Sequence, residues 1–378
     1  MDWRRLVAAI DKLIRECCPD GVKHLPLGEL CRIRTGQSIS RAAIAMEPGE
    51  YPVINSGVDP LGSYARYNTE DDPLGITSRG AGVGSVTWCE GKFFRGNLNY
   101  SASVRDRRVM DARFLYHFLL YGKAQIDALS TFSGIPALNV SNLVALEVPV
   151  PPMEVQRAIA EILDEFTKLE AELEAELEAR RKQYAYYRDQ LLKSSEGLGE
   201  SSQVVLGDIC TIETGKLDAN AAVKSGAFEF FTTAKETSHI DVWRWDEEAL
   251  LIAGNANVGD VKHYVGKFEA YQRTYVLTRF DRRVCVRYLF HLVSNGLQEY
   301  LSGRSNSAAM TYILLGTLKA FPVPVPTLAD QERIVAILDE FDALVNDISV
   351  GLPAELAARR KQYEYYRDKL LTFTPLGA

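Results

Sequence analysis

The feature that most narrows what this chain can fold into is that it is written twice. LGELCRIRTG at 27–36 is matched by LGDICTIETG at 206–215, and ILDEF stands at both 162–166 and 337–341. Gly91-Lys92-Phe93 recurs as Gly266-Lys267-Phe268, and Asp106-Arg107-Arg108-Val109 as Asp281-Arg282-Arg283-Val284. Pro149-Val150-Pro151 recurs as Pro324-Val325-Pro326. The clearest pair is ARRKQYAYYRDQLL at 179–192 against 358–371, where twelve of fourteen positions are identical. A repeat of this length is one structural module used twice.

Each copy opens with short β-branched and aromatic runs broken by Gly, Asn and Asp-Pro, which read as strands and turns. Tyr51-Pro52-Val53-Ile54, Ser85-Val86-Thr87-Trp88 and Tyr275-Val276-Leu277-Thr278 are candidate strands. A short helix follows, at 112–120 and 286–293, and a Pro-punctuated segment then opens a long one. Residues 154–193 contain no Gly or Pro and would span roughly 60 Å as a helix. The apolar seam Ile159, Ile162, Phe166, Leu169, Leu173, Leu177, Tyr184, Tyr187, Leu191 steps by threes and fours, a heptad pattern with a stutter. The second copy runs Ile334, Ile337, Phe341, Leu344, Ile348, Leu352, Leu356, Tyr363, Tyr366, Leu370, and Gly351-Leu352-Pro353 should kink or break it near 351–353. So narrow a seam wants a partner helix, either the repeat mate, antiparallel, or a helix of another subunit.

The expected fold class is α+β: two mixed α/β domains separated by two long antiparallel helices forming a coiled-coil spacer, with an internal pseudo-two-fold. The expected boundaries are 1–152 for the first globular half, including an amphipathic helix at 2–18 that caps the spacer or a globular half. The first helical spacer takes 153–195, the second globular half 196–326 and the second spacer 327–372.

The net charge of −7 is unusual for a nucleic-acid binder, but its distribution is uneven. Residues 1–153 carry +1, 154–196 −4, 197–326 −1 and 327–378 −3. The acidity therefore sits on the helices, which leaves a local basic face open to either globular half. None of the six cysteines forms a C-x-x-C pair, so neither a zinc site nor a disulfide framework is expected. With no signal-peptide pattern and no membrane-length apolar run, a cytoplasmic protein without membrane association is expected.

No catalytic constellation stands out. Residues 80–85 (GAGVGS) lack the Lys-Ser/Thr of a phosphate loop, and the matching NANVGD at 255–260 keeps only the last glycine. A turn between strands accounts for both. His117 and His291 occupy matching helical positions with no second ligand at i+3 or i+4, which suits packing or hydrogen bonding better than a metal. No methyltransferase cofactor loop and no Asn/Asp-Pro-Pro-aromatic tetrapeptide is present. The repeated Arg-Arg-Lys-Gln-Tyr-x-Tyr-Tyr-Arg-Asp reads as two equivalent partner-docking surfaces: Arg180, Arg181, Tyr184, Tyr187 and Arg188, and Arg359, Arg360, Tyr363, Tyr366 and Arg367.

With these residues in view, the chain resembles the specificity subunit of a type I restriction–modification system, over nearly its whole length. The resemblance rests on the duplicated order of globular domain and long helix, and on Pro-x-Pro-x-x-x-x-Gln followed by Ile-Leu-Asp-Glu-Phe (Pro149/Pro151/Gln156 and Pro324/Pro326/Gln331). Its third support is the Arg-Lys-Gln-Tyr-x-Tyr-Tyr-Arg-Asp end. One local departure is Arg157-Ala158-Ile159 in one copy against Glu332-Arg333-Ile334 in the other. The resemblance implies two target-recognition domains, each reading half of a split, asymmetric site in double-stranded DNA. It implies helices that act as ruler and as platform for two methylase subunits and for restriction/translocase subunits. No cofactor is expected in this chain; S-adenosylmethionine, ATP and Mg are implied for the partners. The repeat LEAELEAELEA at 169–179 adds about 6 Å of helix per four residues.

Positions that are polar, turn-located and different between copies are the expected base readers, because the two half-sites differ. They are Gln37, Ser38, Arg41, Arg79, Arg95, Asn97 and Asn99 in the first copy. In the second they are Lys216, Lys235, Asn255, Asn257, Tyr271, Gln272 and Arg273. Amides suit adenine and arginines suit guanine or phosphate. The competing readings are a coiled-coil protein adaptor and a DNA-modifying enzyme with unrecognised motifs.

Overall fold

Pro149 and Pro324 still take part in short two-stranded ladders, opposite His24 and Gln203, and the Gly- and Pro-free stretch after each Pro-x-Pro segment propagates a helix. The computed structural model describes residues 3–132, 134–194, 202–302, 312–346, 349 and 351–377. The boundary expected at 195/196 and the seam residue Ile348 lie outside them. The chain forms two units, Met1–Leu173 with Leu356–Ala378, and Glu174–Glu355. Their boundaries fall inside the long helices.

The helices that organise the units are α1 (Trp3–Cys17), α2 (Ala112–Tyr121), α3 (Met153–Ser194), α4 (Val286–Ser302), α5 (Leu328–Val345) and α6 (Gly351–Leu371). The second long helix is thus two pieces. Gly351 takes φ +77 at the break, a backbone region that favours glycine, and Pro353 sits in the first turn of α6, where no intrahelical N–H is required.

In the first unit the central sheet comprises β1 (Cys31–Thr35), β2 (Leu74–Thr77), β3 (Val86–Trp88) and β4 (Asn99–Val104), in the order β1-β4-β2-β3, antiparallel throughout. Pro48–Ile54 pairs in parallel with Phe94–Arg95 in a separate small sheet. In the second unit β5 (Thr211–Thr214), β6 (Phe228–Phe231), β7 (Ser238–Ile240), β8 (Trp245–Ala253), β9 (Val261–Ala270) and β10 (Thr274–Thr278) make one six-stranded sheet, β5-β10-β8-β9-β6-β7. The two sheets of the first unit correspond to this one. A turn at Gly91 (φ +70) interrupts the first copy, whereas Gly266 (φ +132) lies within β9. The glycine-rich 80–85 is the turn between β2 and β3, closed by Val83 N–H to Gly80 O (3.0 Å) and Gly84 N–H to Thr77 O (2.8 Å).

Each unit holds an antiparallel helix pair within the chain. In the first, Phe166 of α3 packs on Tyr366 (5.8 Å between ring centres) and Tyr363 (6.0 Å), and Glu170 accepts from Arg360 (2.6 Å). In the second, Phe341 of α5 meets Tyr184 and Tyr187, each at 6.3 Å, and Arg181 donates to Val345 O (3.4 Å). The Tyr-rich end of one helix therefore clasps the ILDEF segment of the other. Helix α1 joins the first core through Val7 and Ile10, with Tyr366, Leu370 and Leu371 in the same cluster, and Asp11 pairs with Lys369. No helix among the described residues is long and apolar enough to cross a membrane.

Candidate nucleic-acid interface

The shared Thr-Gly that ends β1 and β5 lets two backbones meet. A Cβ on Gly36 would stand 2.3 Å from Arg95 O, and one on Gly215 only 1.7 Å from Ala270 O, so no other residue fits either position. Beyond that crossing the same rim of turns forms in both units. In the first, Gln37 N–H donates to Arg95 O (2.9 Å), Gly96 N–H to Ile54 O (2.8 Å), Ser78 N–H to Leu98 O (2.8 Å) and Leu138 N–H to Ser78 O (2.8 Å). In the second, Gln272 N–H donates to Leu217 O (3.0 Å), Tyr271 N–H to Phe231 O (2.9 Å), Gly254 N–H to Arg273 O (2.9 Å) and Ile313 N–H to Gly254 O (2.8 Å). One tyrosine braces each rim: Tyr100 Oη donates to Leu138 O (3.1 Å) and Tyr275 Oη to Ile313 O (2.8 Å).

Most expected base readers fall on these rims. Gln37, Ser38 and Arg79 are exposed and Asn97 is half-buried; none has a side-chain hydrogen bond or ion pair among the described residues. In the second unit Lys216, Gln272 and Arg273 are exposed and Tyr271 and Asn255 half-buried. Gln272 donates to Asp218 (3.3 Å). Asn257 spends its amide on Thr233 O (2.8 Å), which ties the Lys235 loop to the rim and leaves Lys235 exposed. Arg41 opens the short helix Arg41–Met46, capped by Ser40, and is exposed.

Two expectations fail. Arg95 is 3% exposed and Asn99 fully buried. The Arg95 guanidinium donates to Asn99 Oδ1 (2.5 Å), Tyr100 O (3.3 Å) and Asp72 O (2.5 Å), and Asn99 donates to Thr87 Oγ1 (3.3 Å). Burial lowers the arginine's pKa from its ordinary value, opposed by Asp72. Both side chains are buried and turn their polar groups to these partners rather than to solvent. Sequence alone takes them for surface because strand ends and turns look alike in composition.

The docking signature is also partly spent inside the chain. Tyr184 and Tyr366 are each 9% exposed and Tyr363 is half-buried, all in the clasps described above. Arg188 lies over Tyr184 (5.6 Å) and pairs with Asp189 (3.0 Å), and Arg367 lies over Tyr363 (5.7 Å) and pairs with Asp368 (2.8 Å). Arg180 pairs with Glu176 (3.5 Å), and Arg359 is half-buried. The rings that face outward are Tyr186, Tyr187 and Tyr365.

Behind each rim, identical residues bind the globular part to its helix. Gln156 is fully buried: its oxygen accepts from Asp111 N–H (2.8 Å) and its amide donates to Val109 O (2.9 Å) and Pro151 O (2.7 Å). Gln331 does the same with Cys285 N–H, Arg283 O and Pro326 O, each at 2.8 Å. The aspartate of each ILDEF meets a histidine and an arginine. Asp164 lies 2.7 Å from His117 Nε2 and 2.6 Å from Arg113 Nε; Asp339 lies 2.7 Å from His291 Nε2 and 2.9 Å from Arg287 Nε. Burial alone would raise both carboxyls, but these hydrogen bonds hold both below the ordinary range. Spacing in the sequence marks the two histidines as packing or hydrogen-bonding groups but does not single out the aspartates. The repeated Asp-Arg-Arg is a turn in which Asp106 and Asp281 each bind an arginine two residues on and its N–H, which pulls both carboxyls down to about 2.

A family profile described as "Type I restriction modification DNA specificity domain" matches residues 19–179 and again 200–358. The chain belongs to that family. Among its relatives, a putative type I restriction enzyme specificity subunit of Haemophilus influenzae is 28% identical over 318 residues, covering 77% of this chain and 79% of that one. The EcoR124I/EcoR124II specificity subunit of Escherichia coli is 31% identical over 274 residues, covering 62% of this chain and 65% of its own. The crystal structure of a type I restriction-modification S subunit from M. genitalium superposes with a TM-score of 0.67 at 20% identity, covering 93% of this chain and 96% of that one. Membership makes the chain a DNA-recognition subunit. Each matched segment contains one rim, one buried glutamine and one His–Asp–Arg junction. The motifs that carry the family signature are thus mainly scaffold.

Proposed function

We propose that the two rims each read one half of a split, asymmetric duplex site. The observation that carries this is that both units fix their turns with three matched backbone bonds while the polar side chains at matched positions differ: Gln37 against Lys216, Arg79 against Asn255 and Asn97 against Gln272. Equal scaffolds with unequal polar tips are what two different half-sites require. Methyl transfer with S-adenosylmethionine, and Mg- and ATP-dependent cleavage, belong in this reading to two methylase subunits and to restriction/translocase subunits. The outward tyrosines Tyr186, Tyr187 and Tyr365 and the arginines of the repeated signature form the docking face. The name "specificity subunit" borne by the relatives supports the division of labour.

Mapping methylated adenines in cells that express the chain with its methylase tests the reading. Replacing Lys216, Gln272 and Arg273 together is expected to change one half-site and leave the other; simultaneous change of both halves would refute separate reading. Arg273→Ala alone should cost about 1–3 kcal/mol in binding and relax one position if it reads a base. Deleting Leu173–Glu176 should shorten the non-specific gap with both half-sites kept, since four residues remove about 6 Å of helix. An unchanged gap would discard the ruler.

A further inference from the structure

The edge strand β1 carries a charge pattern that its duplicate lacks. Cys31 is buried and Ile33 packs against the core, so Arg32 and Arg34 emerge on the opposite face, both exposed. Neither side chain has a hydrogen bond or ion pair among the described residues. They line a groove with Asp71, Asp72, Arg105 and Arg107. Of those neighbours, Asp72 accepts from Ser103 Oγ (2.9 Å) and lies 3.9 Å from buried Arg95, and Arg105 donates to Gly28 O and Cys31 O, each 3.2 Å. Arg107 is exposed beside them, leaving Asp71 as the acid not engaged by a side chain. The groove is therefore net basic, and it adjoins the rim because β1 runs directly into Gly36 and Gln37.

At the matched positions of β5 stand Thr211 and Glu213, and Glu213 faces Arg244 at 3.6 Å. The second unit thus neutralises on this strand what the first leaves bare. Two guanidiniums at alternate strand positions lie roughly 7 Å apart, close to the spacing of successive phosphates along a strand of DNA. We propose that Arg32 and Arg34 are a phosphate track that extends the first rim, so that the first unit supplies more of the sequence-independent grip on DNA than the second. The inference rests on the DNA-recognition reading. It adds two residues to the interface and gives the halves unequal roles: one anchors more, the other relies more on its rim.

The test is a salt titration of full-length chain, with its methylase, on a fluorescent duplex of random sequence. Each phosphate contact contributes about 0.9 to the slope of log affinity against log salt. Arg32→Ala/Arg34→Ala is expected to flatten the slope by about 1.8. The wild type then loses about twelvefold more affinity than the variant over a fourfold rise in salt. Arg32→Lys/Arg34→Lys should keep the wild-type slope, because a phosphate accepts either cation. Thr211→Ala/Glu213→Ala should not flatten it. An unchanged slope in the double alanine variant, failure of the lysines to preserve it, or an equal loss from the second-unit variant would overturn the proposal. Absence of any salt-dependent binding by the wild type would instead remove the DNA reading itself, and this inference with it.

Discussion

The outer face of the sheet is solved in opposite ways in the two copies. In the second unit it is a small apolar core: Trp245, Leu251, Phe268, Ala270 and Val276 are buried together, with Trp245 stacked on Phe268 at 5.3 Å. In the first unit the matched sites hold Gly75 for Leu251, Ser101 for Val276 and Arg95 for Ala270, and a polar network of Arg95, Asn99, Thr87 and Asp72 fills the space. A leucine or phenylalanine buried here is worth about 1.5–3 kcal/mol. A buried guanidinium gives stability only when its donors are met, and Arg95 Nε has no partner among the described residues. The difference teaches that sizes are exchanged in pairs. Gly75 is small because Arg95 is large: a Cβ there would lie 2.4 Å from Asn99 Oδ1 and 2.6 Å from Arg95 Nη1. Ala270 is small where Leu251 takes the volume.

The strongest way to break this comparison is Gly75→Leu. It should destabilise the first unit by more than about 3 kcal/mol, since overpacking adds to displacement of a buried charge. Adding Arg95→Ala should recover at least half of the loss in a denaturant titration. No recovery would show that the two sites are not exchanging volume.

Next in size is the element the copies share. Gln156→Ala and Gln331→Ala each strand one buried N–H and two carbonyls, at a cost of about 2–4 kcal/mol. Measured separately, the two losses should agree within about 1 kcal/mol, because the bonds are the same; a clear inequality would mean the junctions differ in ways their geometry hides.

The smallest effect concerns pH. Burial lowers the pKa of His291 from 6.5, Arg287 adds to the lowering, and the Asp339 hydrogen bond opposes it without winning. The unfolded chain then binds more protons than the folded one as pH falls below 6.5, so stability is full above that value and declines beneath it, by at most about 1.4 kcal/mol per pH unit. Asp164 and Asp339, both lowered from 3.8, add a second loss only as pH falls below that value. Thermal unfolding at about pH 7.5 and 5.5 should show the first decline, and His291→Gln should remove it. A variant that keeps the decline would assign it elsewhere.

Much of the architecture was legible from residue order alone. The repeat, the helix begun after Pro-x-Pro, the break before Pro353 and the family all follow from spacing, because helix and turn chemistry are local. The clasp of Tyr184 and Tyr366 onto Phe341 and Phe166 was not: a heptad seam asks for a partner without saying which residues fill it. Nor was the role of the shared glutamines, two of whose three bonds join segments 45 to 48 residues apart. The internal comparison placed most candidate readers on the rims but took Arg95 and Asn99 with them, since divergence between copies marks a reader and a repacked core equally well. What sequence determined is which positions may differ. Which of those face solvent was decided by tertiary structure, because burial depends on what stands across the sheet, and at Arg95 that is the absence of a side chain on Gly75.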